Sequence, residues 1–215
     1  MNIDPRSDIL AVIDVQPTFM PGGDLPVADG AAVVPPINAL LAQPFARAFA
    51  TLDWHPAGHV SFASTHRLAP FTSLTLPSGL EQALWPDHAL AGSAAAALHP
   101  ALDTRRMEFI LRKGTRPDMD SYSAFYDNDR RSGTGVAALL RERGVRRIFF
   151  AGLATDYCVG WSADDAASLG FQVVVIDDAC RAIATPLASG TTLDAIRARW
   201  TASGVTRTTM AEMMA

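Results

Sequence analysis

The stretch RRIFFAGLATDYCVGWSADDAASLG, residues 146–170, contains the pair of elements that decides the fold. Arg146 to Ala151 is a nearly unbroken apolar run, the pattern of a strand buried on both faces of a parallel sheet. After a short turn, Tyr157 to Leu169 takes a helical pattern, which Gly170 closes. Working outward, further apolar runs lie at Asp8 to Val15, Ala46 to Leu52, Met107 to Arg112, Phe171 to Ile176 and Gly204 to Thr209. A second helix is read over Gly133 to Arg143, with Val136, Leu139 and Leu140 on one side and Gly144 at its end. Strand alternating with helix predicts an α/β chain with right-handed crossovers. The expected architecture is a doubly wound, six-stranded parallel sheet with helices on both faces and a ligand site beyond the carboxyl ends of the strands.

The chain has 215 residues, 49% hydrophobic and 19% charged, enough for one large core and too little charge for a disordered protein. Open α/β sheets run to this length as one unit, so residues 1–215 are read as a single domain. A net charge of −4 with no basic block argues against nucleic acid. No apolar stretch is long enough for a membrane span, and Met1-Asn2-Ile3-Asp4-Pro5 lacks a basic-then-apolar signal pattern. The two cysteines, Cys158 and Cys180, form no disulfide framework, so a reducing, cytoplasmic location is expected. Nothing in these counts separates a monomer from a homo-oligomer.

Of the 18 basic side chains only Lys113 is a lysine. In an Arg-rich and Ala-rich chain, that lone ammonium either survived by chance on a surface or sits where the bulkier, planar guanidinium cannot. It ends the run Phe109-Ile110-Leu111-Arg112-Lys113, just before Gly114. Asp14 ends the first run, Ala11-Val12-Ile13-Asp14, where a carboxylate is either a cap on the next turn or a functional group. Cys158 falls at the first turn of the helix that follows the 146–151 run, where the partial positive charge of a helix N-terminus is expected to lower the thiol pKa. Cys180, beyond the fifth run, is read as a small buried side chain. A carboxylate, an ammonium and a thiol at one sheet edge suit acyl transfer. Asp14 would move the proton, Lys113 would favour ionised neighbours, and Cys158 would carry the acyl group as a thioester. The N–H groups of Ala154 and Cys158 are candidates to hold the oxyanion.

The segment from His55 to His99 carries all five histidines and several prolines with little periodicity, and reads as an ordered excursion over the edge of the sheet. Before it, Asp53-Trp54-His55 sends Asp53 and His55 to one side of an extended chain, a half-site for Zn²⁺ or Fe²⁺. His88 and His59 are candidates for a further ligand, and His66 and His99 read as surface or loop residues.

Five ordered motifs now bear on identity: Asp14-Val15-Gln16-Pro17-Thr18-Phe19, Asp53-Trp54-His55-Pro56, Trp85-Pro86-Asp87-His88, Asp120-Ser121-Tyr122-Ser123-Ala124-Phe125 and Gly152 to Val159. Together they resemble the nicotinamidases of the isochorismatase-like hydrolase superfamily, over residues 8–209. The resemblance implies hydrolysis of nicotinamide to nicotinate and ammonia, with pyrazinamide as a second substrate, by a triad of Asp14, Lys113 and Cys158. It implies an oxyanion hole from Ala154 and Cys158 beside a cis peptide at Leu153-Ala154. One divalent ion, zinc before iron or manganese, is implied on Asp53, His55 and His88, orienting the pyridine ring, with His59 a fourth or water-mediated ligand. Phe19, Trp85 and Tyr122 match ring-enclosing positions. Another amide hydrolase of the same superfamily is the rival reading. A nucleotide- or flavin-binding module is disfavoured, because no phosphate-cradling glycine motif follows a strand.

Overall fold

A computed structural model describes residues 1–184 and 192–214; residues 185–191 and 215, part of the expected single domain, lie outside the described residues. In chain order the elements are β1 (Asp8–Ile13), α1 (Val34–Leu41), β2 (Arg47–Asp53), α2 (Ala63–His66), β3 (Thr72–Thr75), β4 (Glu81–Leu84) and β5 (Met107–Lys113). They continue with α3 (Val136–Glu142), β6 (Arg147–Leu153), α4 (Cys158–Ser168), β7 (Gln172–Arg181), α5 (Leu193–Ser203), β8 (Thr206–Thr208) and α6 (Met210–Met214).

Six strands form one sheet in the order β5-β2-β1-β6-β7-β8, and every neighbouring pair is parallel. The order reverses at β1: the chain steps outward through β2 to β5, then returns to β6 on the other side. A ligand crevice forms beyond the carboxyl ends at such a reversal. The central strands are buried along their whole length, as their unbroken apolar runs predict, whereas the edge strand β5 alternates and leaves Ile110 half exposed. The helices between the strands flank this sheet, as expected.

Two expectations need correction. The excursion after His55 is not free of regular structure: β3 and β4 form an antiparallel hairpin, Thr72 opposite Leu84 and Thr75 opposite Glu81. The fifth run of the sheet does not stop at Ile176. β7 continues to Arg181, with a register irregularity that pairs Phe150 with Val175 but Gly152 with Cys180, so Cys180 lies within the strand and not beyond it. It is buried there, as its reading as a packing residue requires.

Candidate active site

Strand register brings the first two groups together. Asp53 and Lys113 are paired Cα partners at the ends of β2 and β5, and parallel neighbours in register point their side chains to the same face. The Lys113 ammonium donates to Asp53 Oδ1, lies 2.8 Å from Asp14 Oδ2, 3.1 Å from the Ser121 carbonyl and 3.3 Å from Cys158 Sγ. Asp14, Lys113 and Cys158 are all buried. The three groups proposed from strand ends therefore meet around one nitrogen.

Asp14 sits one residue past β1 in a left-handed conformation, φ 47°. Thr51 fixes it there, donating its hydroxyl to Asp14 Oδ1 at 2.6 Å and accepting from the Asp14 N–H at 3.1 Å. Gln16 does the same for Asp53. Its side-chain amide accepts from the Asp53 N–H and donates to the Asp53 carbonyl, both at 2.9 Å, and donates to the Ala96 carbonyl as well. Neither Thr51 nor this use of Gln16 was legible from the sequence, although Gln16 stands inside one of the motifs.

Burial and the shared ammonium set the protonation states. Burial raises the Asp14 carboxyl above its usual range, and Lys113 offsets this only in part. Asp53 is held well below that range despite burial, because Lys113 and His55 both favour its anion. Lys113 is itself held well above the ordinary lysine value, the two carboxylates outweighing its burial. Burial pushes the Cys158 thiol well up, against the pull of Lys113. This reverses the expected lowering: a helix N-terminus contributes roughly 1 kcal/mol, whereas desolvating an anion costs several. The thiol rests protonated, beside a carboxyl whose basicity is also raised.

Next to this cluster Asp53, His55 and His88 bring ligand atoms within 4.8 Å of one another, all buried. Asp53 Oδ2 is 3.5 Å from His55 Nε2 and 3.6 Å from His88 Nε2. Each imidazole is held through its other nitrogen, His55 Nδ1 by the Gly114 carbonyl at 2.9 Å and His88 Nδ1 by the Pro86 carbonyl at 2.8 Å. A ring that donates from Nδ1 to a carbonyl presents its Nε2 lone pair to a cation. His55 Nε2 is buried without a hydrogen-bond partner, which is the state of a ligand atom. The donor set fits a divalent ion of the zinc or iron type. Gly114 is required here: at φ +63° it follows Lys113 directly, and a Cβ would lie 2.4 Å from His55 Cε1.

His59 stands apart from those three side chains. It stacks on His55 with ring centroids 4.1 Å apart and uses both nitrogens locally, Nδ1 with the Ser61 hydroxyl at 2.7 Å and Nε2 with the Met119 carbonyl at 3.3 Å. Burial lowers its pKa to about 4. With His55 and Asp120 it forms a second group of close ligand atoms. His66, the last residue of α2, bonds the Val60 carbonyl, and His99, in a loop, bonds the Ala101 N–H.

A cleft opens onto both clusters. Phe19, Trp85 and Tyr122 line it, together with Ala154, Cys158, Asp53 and His88. Trp85 donates its indole N–H to the Tyr122 hydroxyl at 3.3 Å and meets the Tyr157 ring edge-on at 4.9 Å. Tyr157, Leu25, Ile183 and Asp120 also line the cleft without having been singled out for it. The Leu153-Ala154 peptide is cis. The N–H groups of Ala154 and Cys158 have no partner among the described residues, and Cys158 opens α4, where N–H groups lack helical acceptors. A thiol, a proton acceptor, an ammonium and free N–H donors at the floor of an aromatic cleft are the parts of acyl transfer.

The model of the isochorismatase domain family matches residues 8–209. The chain belongs to the isochorismatase-domain family. A nicotinamidase of Acinetobacter baylyi, a relative within it, is 47% identical over 175 residues, 81% of this chain and 81% of the relative. Among solved isochorismatase-like structures, a nicotinamidase/pyrazinamidase of Acinetobacter baumannii superposes with a TM-score of 0.90 at 39% identity, over 97% of this chain and 98% of that one. The L. infantum protein PnC1 in complex with nicotinate gives 0.85 at 36%, over 99% and 98%. Pyrazinamidase of Pyrococcus horikoshii in complex with zinc gives 0.74 at 29%, over 95% and 99%.

Proposed function

We propose that this chain hydrolyses nicotinamide to nicotinate and ammonia through a thioester on Cys158, with pyrazinamide as a second substrate. The observation that carries the reading is Asp53. One buried carboxylate holds the Lys113 ammonium on Oδ1 and faces two ligand-ready imidazoles with Oδ2, so a reacting carboxamide and a ring-anchoring cation have adjoining places in one cleft.

Cys158 Sγ attacks the carboxamide carbon as Asp14 takes the thiol proton, and the carbonyl oxygen becomes an oxyanion held by the N–H groups of Ala154 and Cys158. Collapse breaks the C–N bond while Asp14 returns its proton to nitrogen, and ammonia leaves. Water then attacks the thioester as Asp14 takes one of its protons. Collapse breaks the C–S bond, and the sulfur recovers the proton. The raised basicity of Asp14 suits it to a thiol that rests protonated. Lys113 keeps one positive charge beside both groups while the proton moves between them. Phe19, Trp85 and Tyr122 enclose the ring. Asp53, His55 and His88 would hold the divalent ion, zinc before iron or manganese, with His59 stacked behind; the ion supplies a Lewis acid that fixes a ring nitrogen. The reading is of a cytoplasmic, single-domain enzyme over residues 1–215. Its support is that no described helix is long and apolar enough to cross a membrane and that both buried cysteines are free.

The test is ammonia release from nicotinamide, pyrazinamide and an aliphatic amide, with metal content measured on the same sample. Turnover of the two aromatic amides with about one divalent ion per chain is expected. Turnover of the aliphatic amide alone would transfer the site to another isochorismatase-like amide hydrolase.

A further inference from the structure

Asp120 is a buried carboxylate for which the mechanism above has no use. It is 2% exposed and lines the cleft with Asp53 and His88. Its oxygens accept from neutral donors, Oδ1 from the Ser121 N–H and Oδ2 from the Gln82 side-chain amide, both at 2.8 Å. No lysine or arginine among the described residues forms an ion pair with it. Lys113, the cation of the catalytic cluster, is already shared between Asp14 and Asp53. A buried carboxylate is costly to keep charged unless hydrogen bonds and a cation compensate it.

The neighbours of Asp120 indicate where that cation belongs. Ligand atoms of Asp120, His55 and His59 all lie within 4.8 Å of one another, so His55 is common to this group and to the Asp53, His55, His88 group. The partnerless His55 Nε2 lies in the shared residue. Each carboxylate oxygen accepts two hydrogen bonds, so both oxygens of Asp120 keep a lone pair for a cation or its bound water.

We propose that Asp120 is a second carboxylate of the metal centre, compensating the ion's charge through an oxygen contact to the ion or to water bound on it, on the side of His55 that faces His59. The inference rests on the metal reading given under Proposed function. It adds a residue that sets how tightly the ion is held and how far the site favours ions that prefer oxygen ligands.

The experiment measures dissociation constants for Zn²⁺ and Mn²⁺ by chelator competition on the full chain, without substrate. D120N keeps an oxygen for the Ser121 N–H and removes the charge. It is expected to weaken both ions about 10- to 100-fold, Mn²⁺ more than Zn²⁺. The double variant Q82E/D120N moves the carboxylate across the same side-chain hydrogen bond, from position 120 to position 82, and is expected to fold and to bind as weakly as D120N. Wild-type affinity in D120N overturns the proposal. If D120N fails to fold, wild-type affinity in the double variant overturns it instead. A wild-type chain that binds neither ion would sink the metal reading itself, a separate outcome from the failure of Asp120.

Discussion

Strand β1 meets a cation at each end, and the two meetings are built differently. At the amino end Asp8 is gripped by Arg147: Nε donates to Oδ1 at 3.1 Å, Nη2 donates to Oδ2, and the Asp4 N–H adds a bond at 2.7 Å. The guanidinium also reaches the Asn2 carbonyl and stays partly in water. Both carboxylate oxygens of Asp8 have partners, and the pair anchors the start of the sheet. At the carboxyl end Asp14 faces Lys113 at 2.8 Å with neither side chain exposed, and the same ammonium serves Asp53, the Ser121 carbonyl and the Cys158 thiol. One cation is spread over four acceptors in a dry place. The first arrangement suits a planar fork and the second a compact ammonium, which explains why an arginine-rich chain retains one lysine.

The comparison can be broken in four ways. C158A removes the atom that makes the carboxyl end reactive. Ammonia release from nicotinamide should fall by at least about a thousandfold with the melting temperature little changed, as for nucleophile deletions generally; substantial residual turnover would remove Cys158 from its role. Stripping divalent ions with a chelator should lower activity by about 100-fold or more, with recovery on adding Zn²⁺, Fe²⁺ or Mn²⁺. Full turnover by exhaustively metal-free protein would separate Asp53 from the chemistry. K113R retains charge but puts a fork where four groups converge on a point; kcat should drop about 100-fold. Its mirror at the other end, R147K, should leave kcat unchanged and cost about 1 kcal/mol in denaturant unfolding, since it exchanges a two-point grip for one. If K113R proved as mild as R147K, the two ends would not differ in the way argued here.

The two cysteines sharpen the contrast at smaller scale. Burial pushes both thiols up, but Cys180 is enclosed in β7 whereas Cys158 lines the cleft. Iodoacetamide at pH 8 should therefore label Cys158 and leave Cys180 unmodified in folded protein, read by peptide mass. Labelling of Cys180 at a comparable rate would contradict its enclosure.

Legibility followed the physics of each part. Asp14, Lys113 and Asp53 could be read because each ends an apolar strand, and the parallel sheet converts strand ends into neighbours. The proposed metal residues could be read from the two-residue spacing of Asp53 and His55, with His88 and His59 as candidates for a further ligand and the resemblance placing His88 first. Thr51 could not, nor could the role of Asp120 although it opens one of the motifs, since their partners, Asp14 and Gln82, are 37 and 38 positions away and no local pattern marks the contacts. The β3-β4 hairpin was missed because β3 is exposed or only half buried and so has no apolar period. The continuation of β7 was hidden by Asp177 and Asp178, which look like a strand stop. Arg207 of β8 pairs with Asp177, and the Met210 N–H at the start of α6 bonds Asp178, so both carboxylates are satisfied at the strand edge. The thiol pKa was misjudged because helix position is visible in a sequence and depth of burial is not.

Gly114 ties two inheritances into one. Its α-carbon follows the lysine of the proton-transfer group, its carbonyl steers an imidazole of the cation group, and no side chain fits between them. A lineage that abandoned the ion would be free to fill that gap, and in doing so would turn the histidine and drag the backbone of its only amine, so loss of metal and retuning of the nucleophile would have to arrive together.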